Sequence, residues 1–166
     1  MSDLALLTEA FHRNGRVNEA LLNTLTEEDL ELSDGQGGLS VGQLLEHLFG
    51  MRKVYLHRVG STYAEQITVE TEEGDQPFWP VTLSPKQLQG ALAEADAAVL
   101  NAVQDAAGGG PSFQHDFASH PAQLLVLTLI HDANHRGQIT TLLRQGGRSA
   151  AALDQLARAT WPIWRD

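Results

Sequence analysis

Leu124-Leu125-Val126-Leu127-Thr128-Leu129-Ile130-His131-Asp132-Ala133-Asn134-His135-Arg136-Gly137-Gln138-Ile139 decides both the fold class and the chemistry of this chain. Leu124, Leu127, Ile130, Ile139 and Leu142 recur at helical spacing. The pattern begins near Ser119 or Pro121 and stops at Gly146-Gly147, so it predicts one long amphipathic helix. Three further stretches read the same way. The first starts near Ser2 or Asp3 and carries Leu4, Leu7, Phe11, Val17, Leu21 and Leu25, with Gly15 interrupting it. The second opens at Ser40, which forms a capping box with Gln43. Its inner face reads Leu44, Leu48, Met51, Tyr55 and Val59, and Gly60 closes it. The third opens with Ser84-Pro85-Lys86-Gln87, runs through Leu88, Leu92, Ala95, Val99 and Val103, and ends at Gly108-Gly109-Gly110-Pro111. A short fifth helix, roughly Ala150 to Ala159, leads into Trp161-Pro162-Ile163-Trp164. Ser61 to Leu83 has no clear period and reads as a long crossover, with Val81 and its neighbours as at most a strand-like piece. The expectation is an all-α four-helix bundle with one long crossover, a single domain over residues 1–166.

Composition narrows the functions. With 11 basic and 21 acidic residues the net charge is −10, which disfavours the nucleic-acid backbone and anionic membranes as partners. There is no cysteine, which removes disulfides, thiolate metal sites and a cysteine nucleophile. Met1-Ser2-Asp3-Leu4-Ala5 lacks the basic start and apolar run of a signal peptide, and no stretch of about 18 apolar residues occurs. A cytoplasmic location is expected.

Seven histidines are the unusual part of the composition. His131 and His135 lie four apart, hence on one helix face about 6 Å along the axis. That face also holds Leu124, Leu127, Thr128 and Leu142, so both imidazoles point into the bundle. Two buried imidazoles side by side need a shared partner, because each ring nitrogen requires a hydrogen bond or a metal. His47 sits three residues after Leu44 and four before Met51, within the apolar stripe of the second helix. His47, His131 and His135 are therefore the candidate metal ligands. Three neutral nitrogens leave coordination positions open for water or substrate, and they suit a divalent metal such as zinc or nickel. His120 lies eleven residues before His131, about 16 Å away along the axis; it and His12, His57 and His115 read as structural or surface residues.

Around the pair, Gln138 is seven residues after His131 and on the same face, which makes it a candidate cofactor-binding residue. Asp132 has two readings of equal weight: a partner of the metal-bound imidazoles, or an exposed ion pair with Arg136 worth a few tenths of a kcal/mol. Gly137 costs roughly 1 kcal/mol in a helix interior, which close approach of a neighbouring backbone would offset.

His131-Asp132-Ala133-Asn134-His135-Arg136-Gly137-Gln138, with the distant Leu44-Leu45-Glu46-His47-Leu48, closely resembles the DinB/YfiT-like family. The resemblance covers nearly the whole chain and implies a bundle of up-down-down-up order. It also implies that His47, His131 and His135 hold a metal. Relatives include transferases and isomerases that use mycothiol or bacillithiol. By that resemblance the leading expectation is a metal-dependent low-molecular-weight-thiol S-transferase in detoxification or stress response. Its partners would be a bacillithiol-like cosubstrate and a small-molecule electrophile. A metal-bound thiol would have a lowered pKa and attack that electrophile as thiolate. Family habit, together with Trp161 and Trp164, adds the expectation of a homodimer. Two alternatives stand beside it. One is a hydrolase with metal-activated water; His-Asp-Ala-Asn-His is similar to the zincin pattern, but Asp132 replaces its glutamate and no downstream ligand follows. The other is a non-catalytic metal or small-molecule binding bundle.

Overall fold

The computed structural model describes residues 3–69, 82–114 and 120–165. Within them the chain forms α1 (Asp3–Leu22), α2 (Glu27–Leu30), α3 (Val41–Arg58), α4 (Pro85–Ala107), α5 (Pro121–Gln145) and α6 (Ala150–Arg165), with a 3-10 turn at Thr62–Gln66. No strand occurs among the described residues. The fold is an all-α bundle.

Helix starts follow from local chemistry. The first turn of a helix leaves backbone N–H groups without partners, and side-chain oxygens placed there accept them. Ser40 and Gln43 form a reciprocal capping box at α3, and Ser84 and Gln87 form another at α4 with Pro85 just inside. At α5 the cap is a histidine: His120 Nδ1 accepts from the Ala122 amide at 3.2 Å, while the Gln123 side chain accepts from the His120 amide. His120 thus works at the helix end, as a structural residue.

α3 and α5 pack on one another and on α4, and α1 closes the bundle against α4 and α5. Phe11 from α1, Leu45, Leu48, Phe49 and Leu56 from α3, Val99 and Val103 from α4, and Leu124, Leu125, Ile139 and Leu143 from α5 are buried. The segment after α3 is not free chain. Ala64 and Ile67 are buried, the 3-10 turn packs on α3 and α4, and the Thr68 amide donates to the Glu94 carboxylate. Val81 and its neighbours lie outside the described residues.

Three local expectations need correction. α1 ends at Leu22, although Leu25 remains buried in the loop beyond it. The Thr26-Glu27-Glu28-Asp29 capping box nucleates α2, a short helix that the long apolar stripes overshadowed. α6 continues to Arg165 through Pro162 instead of stopping near Ala159. Proline removes one intrahelical donor near the helix end, but α6 lies along α1, and Arg13 Nη1 donates to the Ile163 carbonyl at 3.1 Å.

Candidate metal centre

α3 supplies His47 and α5 supplies His131 and His135, and all three side chains are part-buried. Their Nε2 atoms converge. His131 Nε2 lies 3.2 Å from His47 Nε2 and 3.2 Å from His135 Nε2. Ring centroids are 4.5–5.0 Å apart. One donor atom from each residue falls within 4.8 Å of the other two.

A divalent cation suits this arrangement. Nitrogens about 2.0–2.1 Å from a zinc ion at tetrahedral to right angles stand about 2.8–3.4 Å from one another. Hydrogen bonding alone serves the triad poorly, because one Nε2 carries either a single proton or a single lone pair. The protonation states point the same way. His135 Nδ1 is 2.8 Å from Gln138 Oε1. An amide oxygen only accepts, so Nδ1 carries the proton and Nε2 is the nitrogen left to offer a lone pair. For His131, burial disfavours the imidazolium, and the neighbouring His135 and His47 add to this, lowering its pKa to about 4. His131 is therefore neutral at pH 7, as a metal ligand must be. Its buried Nδ1 has no partner among the described residues. The Tyr55 ring stands edge-on to the His131 imidazole, with the ring centroids 5.8 Å apart.

That shift has a measurable consequence for the metal-stripped protein. The folded-state pKa of His131 lies below the value of about 6.5 in the unfolded chain, so between these values the unfolded chain binds the extra proton. Stability is expected to fall as pH drops from about 6.5 to about 4. Urea midpoints across this range should decline less steeply for His131→Asn. Equal slopes would show that His131 is not held neutral by its surroundings.

Asp132 belongs to neither of its two expected settings. It is fully buried and accepts from Arg52 Nη2 at 2.7 Å and Nη1 at 3.2 Å, from Asn14 Nδ2 at 2.6 Å and from Asn18 Nδ2 at 2.7 Å. Arg52 is also fully buried and gives Nε to Asp96 at 2.5 Å and Nη1 to the Leu48 carbonyl at 2.7 Å. Arg136 lies 3.9 Å from Asp132 but donates Nη1 to the oxygens of Asn14 and Asn18, each at 2.7 Å. Burial works to raise the Asp132 pKa, and Arg52 with the two amides outweighs it, holding the carboxyl below its usual range. The network joins α1, α3, α4 and α5, and so fixes the helix carrying His131 and His135 against the helix carrying His47.

Beside the histidines lies a cleft of about 770 Å³, bordered by His135, Gln138, Asn134, Gln145, Leu44 and Asp34. Asp34 folds the loop at its edge by accepting the amides of Gln36 and Gly38. Gln138 is thus both the acceptor that sets the His135 tautomer and part of the cleft wall. His12, His57 and His120 are exposed and away from the triad; His57 contacts Glu65 at 3.9 Å. His115 lies outside the described residues.

A part-buried triad on this helical framework, with the His-x-x-x-His-Arg-Gly-Gln run on α5, agrees with the family match, which spans residues 1–166. The chain belongs to the DinB family. No curated protein and no solved structure matches it significantly. Among the described residues of this DinB protein, no helix is long and apolar enough to cross a membrane.

Proposed function

We propose that this DinB-family protein is a divalent-metal-dependent transferase acting in the cytoplasm on a low-molecular-weight thiol and a small electrophile, in detoxification or stress response. The observation that carries the reading is the convergence of three Nε2 atoms beside an open cleft. A bound zinc or nickel ion would supply positive charge that lowers the pKa of a thiol. His131 is held neutral by its surroundings, and Gln138 fixes the His135 ring with Nε2 toward the other two. The cleft walls offer amides that would orient a polar cosubstrate such as bacillithiol or mycothiol. In the reaction the thiol proton leaves to solvent, sulfur bonds to the electrophilic carbon, and the leaving group departs with its electron pair. The long segment between α3 and α4 supports the up-down-down-up order, since it is long enough to cross from one end of the bundle to the other and let the two helices run in the same direction. The homodimer is part of the proposal; exposed Val126 and Ile130, one turn apart on α5, are apolar surface a second copy would cover.

Metal analysis of the purified protein, followed by bacillithiol and mycothiol with a bimane electrophile, tests the reading. Stoichiometric divalent metal and metal-dependent thioether formation are expected. Ester or amide cleavage without thiol would replace it with a hydrolase. Bound metal with neither activity would leave a binding bundle.

A further inference from the structure

A second cavity, about 430 Å³, lies between α1, α5 and α6. Its chemistry is opposite to that of the protein as a whole. The chain carries a net charge of −10, yet Arg136 and Arg144 border this groove and no acidic side chain among the described residues lines it. Arg136 commits Nη1 to Asn14 and Asn18 and is also part of the groove wall. Arg144 is exposed and makes no ion pair among the described residues. The opposite wall is aromatic: Trp161 is 65% exposed and Trp164 37%. A cavity of this size suits a small molecule, and this lining offers cations at one side and indole faces at the other.

Gly137 adds an independent observation. Close backbone approach was the expected reason for a glycine within α5, but a Cβ built there meets nothing within 4 Å. Packing therefore does not require it. Instead Gly137 and Thr141 border both this groove and the cleft beside His135. The missing side chain keeps a low saddle over the helix between the two cavities.

We propose that the α1–α5–α6 groove is a second binding site, for a small organic anion bearing an aromatic ring, and that it communicates over Gly137 with the cleft beside His135. The anion pairs with Arg144 and the edge of Arg136, and the ring packs on Trp161 and Trp164. Nothing in this assignment requires metal at the histidine triad.

The test titrates 2-naphthoate and its uncharged analogue 2-naphthamide into the full chain by calorimetry. Naphthoate should bind at least about tenfold more tightly, the factor that one contact to an ionised group supplies. Arg144→Gln should erase the preference, and Trp161→Ala should weaken both ligands. Gly137→Ala should raise the thermal midpoint while weakening naphthoate several-fold, a pairing that loss of structure cannot produce. His131→Ala should keep naphthoate binding whether or not it keeps metal, which separates this proposal from the metal-centre reading. Equal binding of the two probes, or naphthoate binding unaffected by Arg144→Gln and Trp161→Ala, would overturn it. So would a Trp161→Ala variant that turns a dimer into a monomer while naphthoate fails to bind the parent protein, since a second copy would then be the occupant.

Discussion

Asp132→Ala is expected to destabilise the metal-free bundle by about 3–5 kcal/mol, the usual cost of removing one member of a buried ion pair. The folded state of an ordinary domain is favoured by only about 5–15 kcal/mol, so much of its margin would go. Arg52 cannot reach water: its side chain is 0% exposed and is held from three directions. Losing the carboxylate would strand Nη2 of Arg52 and leave the Asn14 and Asn18 amides without their acceptor. Denaturant unfolding of the wild type, Asp132→Ala and the Arg52→Met/Asp132→Leu double variant checks this. The double variant should recover part of the loss, because it removes the Arg52–Asp132 pair together and refills the volume, while the Asn14 and Asn18 amides still lack their acceptor. The remaining carboxylate, Asp96, is 16% exposed and retains access to solvent. A cost below about 1 kcal/mol for Asp132→Ala would mean that the network does not hold the helices together.

That network also marks where the sequence stops being readable. The long helices were legible because their apolar stripes and Ser–Gln caps are local signals, each contained in one segment. His47, His131 and His135 were legible for a related reason: each lies in an apolar stripe, and a polar ring there needs a partner. Asp132 and Arg136 sit four apart, a spacing that an exposed helix pair shares with a buried one. Asn14 and Asn18, on the α1 stripe between Phe11 and Leu21, help to distinguish the two, but an uncharged asparagine in an apolar stripe is a weak signal of a buried carboxylate. Arg52 follows Leu48 by four and is likewise on an inward face. Polar residues of compensating charge on the inner faces of several helices were the available signal. Their pairing is tertiary, however, and no single stripe contains it. The α1–α5–α6 groove was hidden for the same reason, since its walls come from three helices and from an α6 that continues beyond the expected end.

Removing one imidazole from the triad is expected to reduce zinc affinity at least about 100-fold, beyond the 10–100-fold that loss of a supporting hydrogen bond causes. His131→Ala and His135→Ala should each show this loss, because both nitrogens stand where the three rings converge. Gln138→Ala should fall between these variants and the wild type: it leaves all three nitrogens in place but removes the acceptor that holds the His135 proton on Nδ1. His12→Ala, at an exposed position on α1, should bind as the wild type does. All four variants should retain helical circular dichroism, since neither histidine of α5 nor Gln138 belongs to the apolar core. Competition with a chelator of known affinity reads the constants, and elemental analysis reads the stoichiometry. The order in which both histidine variants bind weakest, Gln138→Ala binds more tightly and the wild type tightest is specific to a site assembled on Nε2 with one ring oriented by an amide. Full stoichiometry and unchanged affinity in either histidine variant would exclude a shared metal and leave three core histidines that merely lie close together.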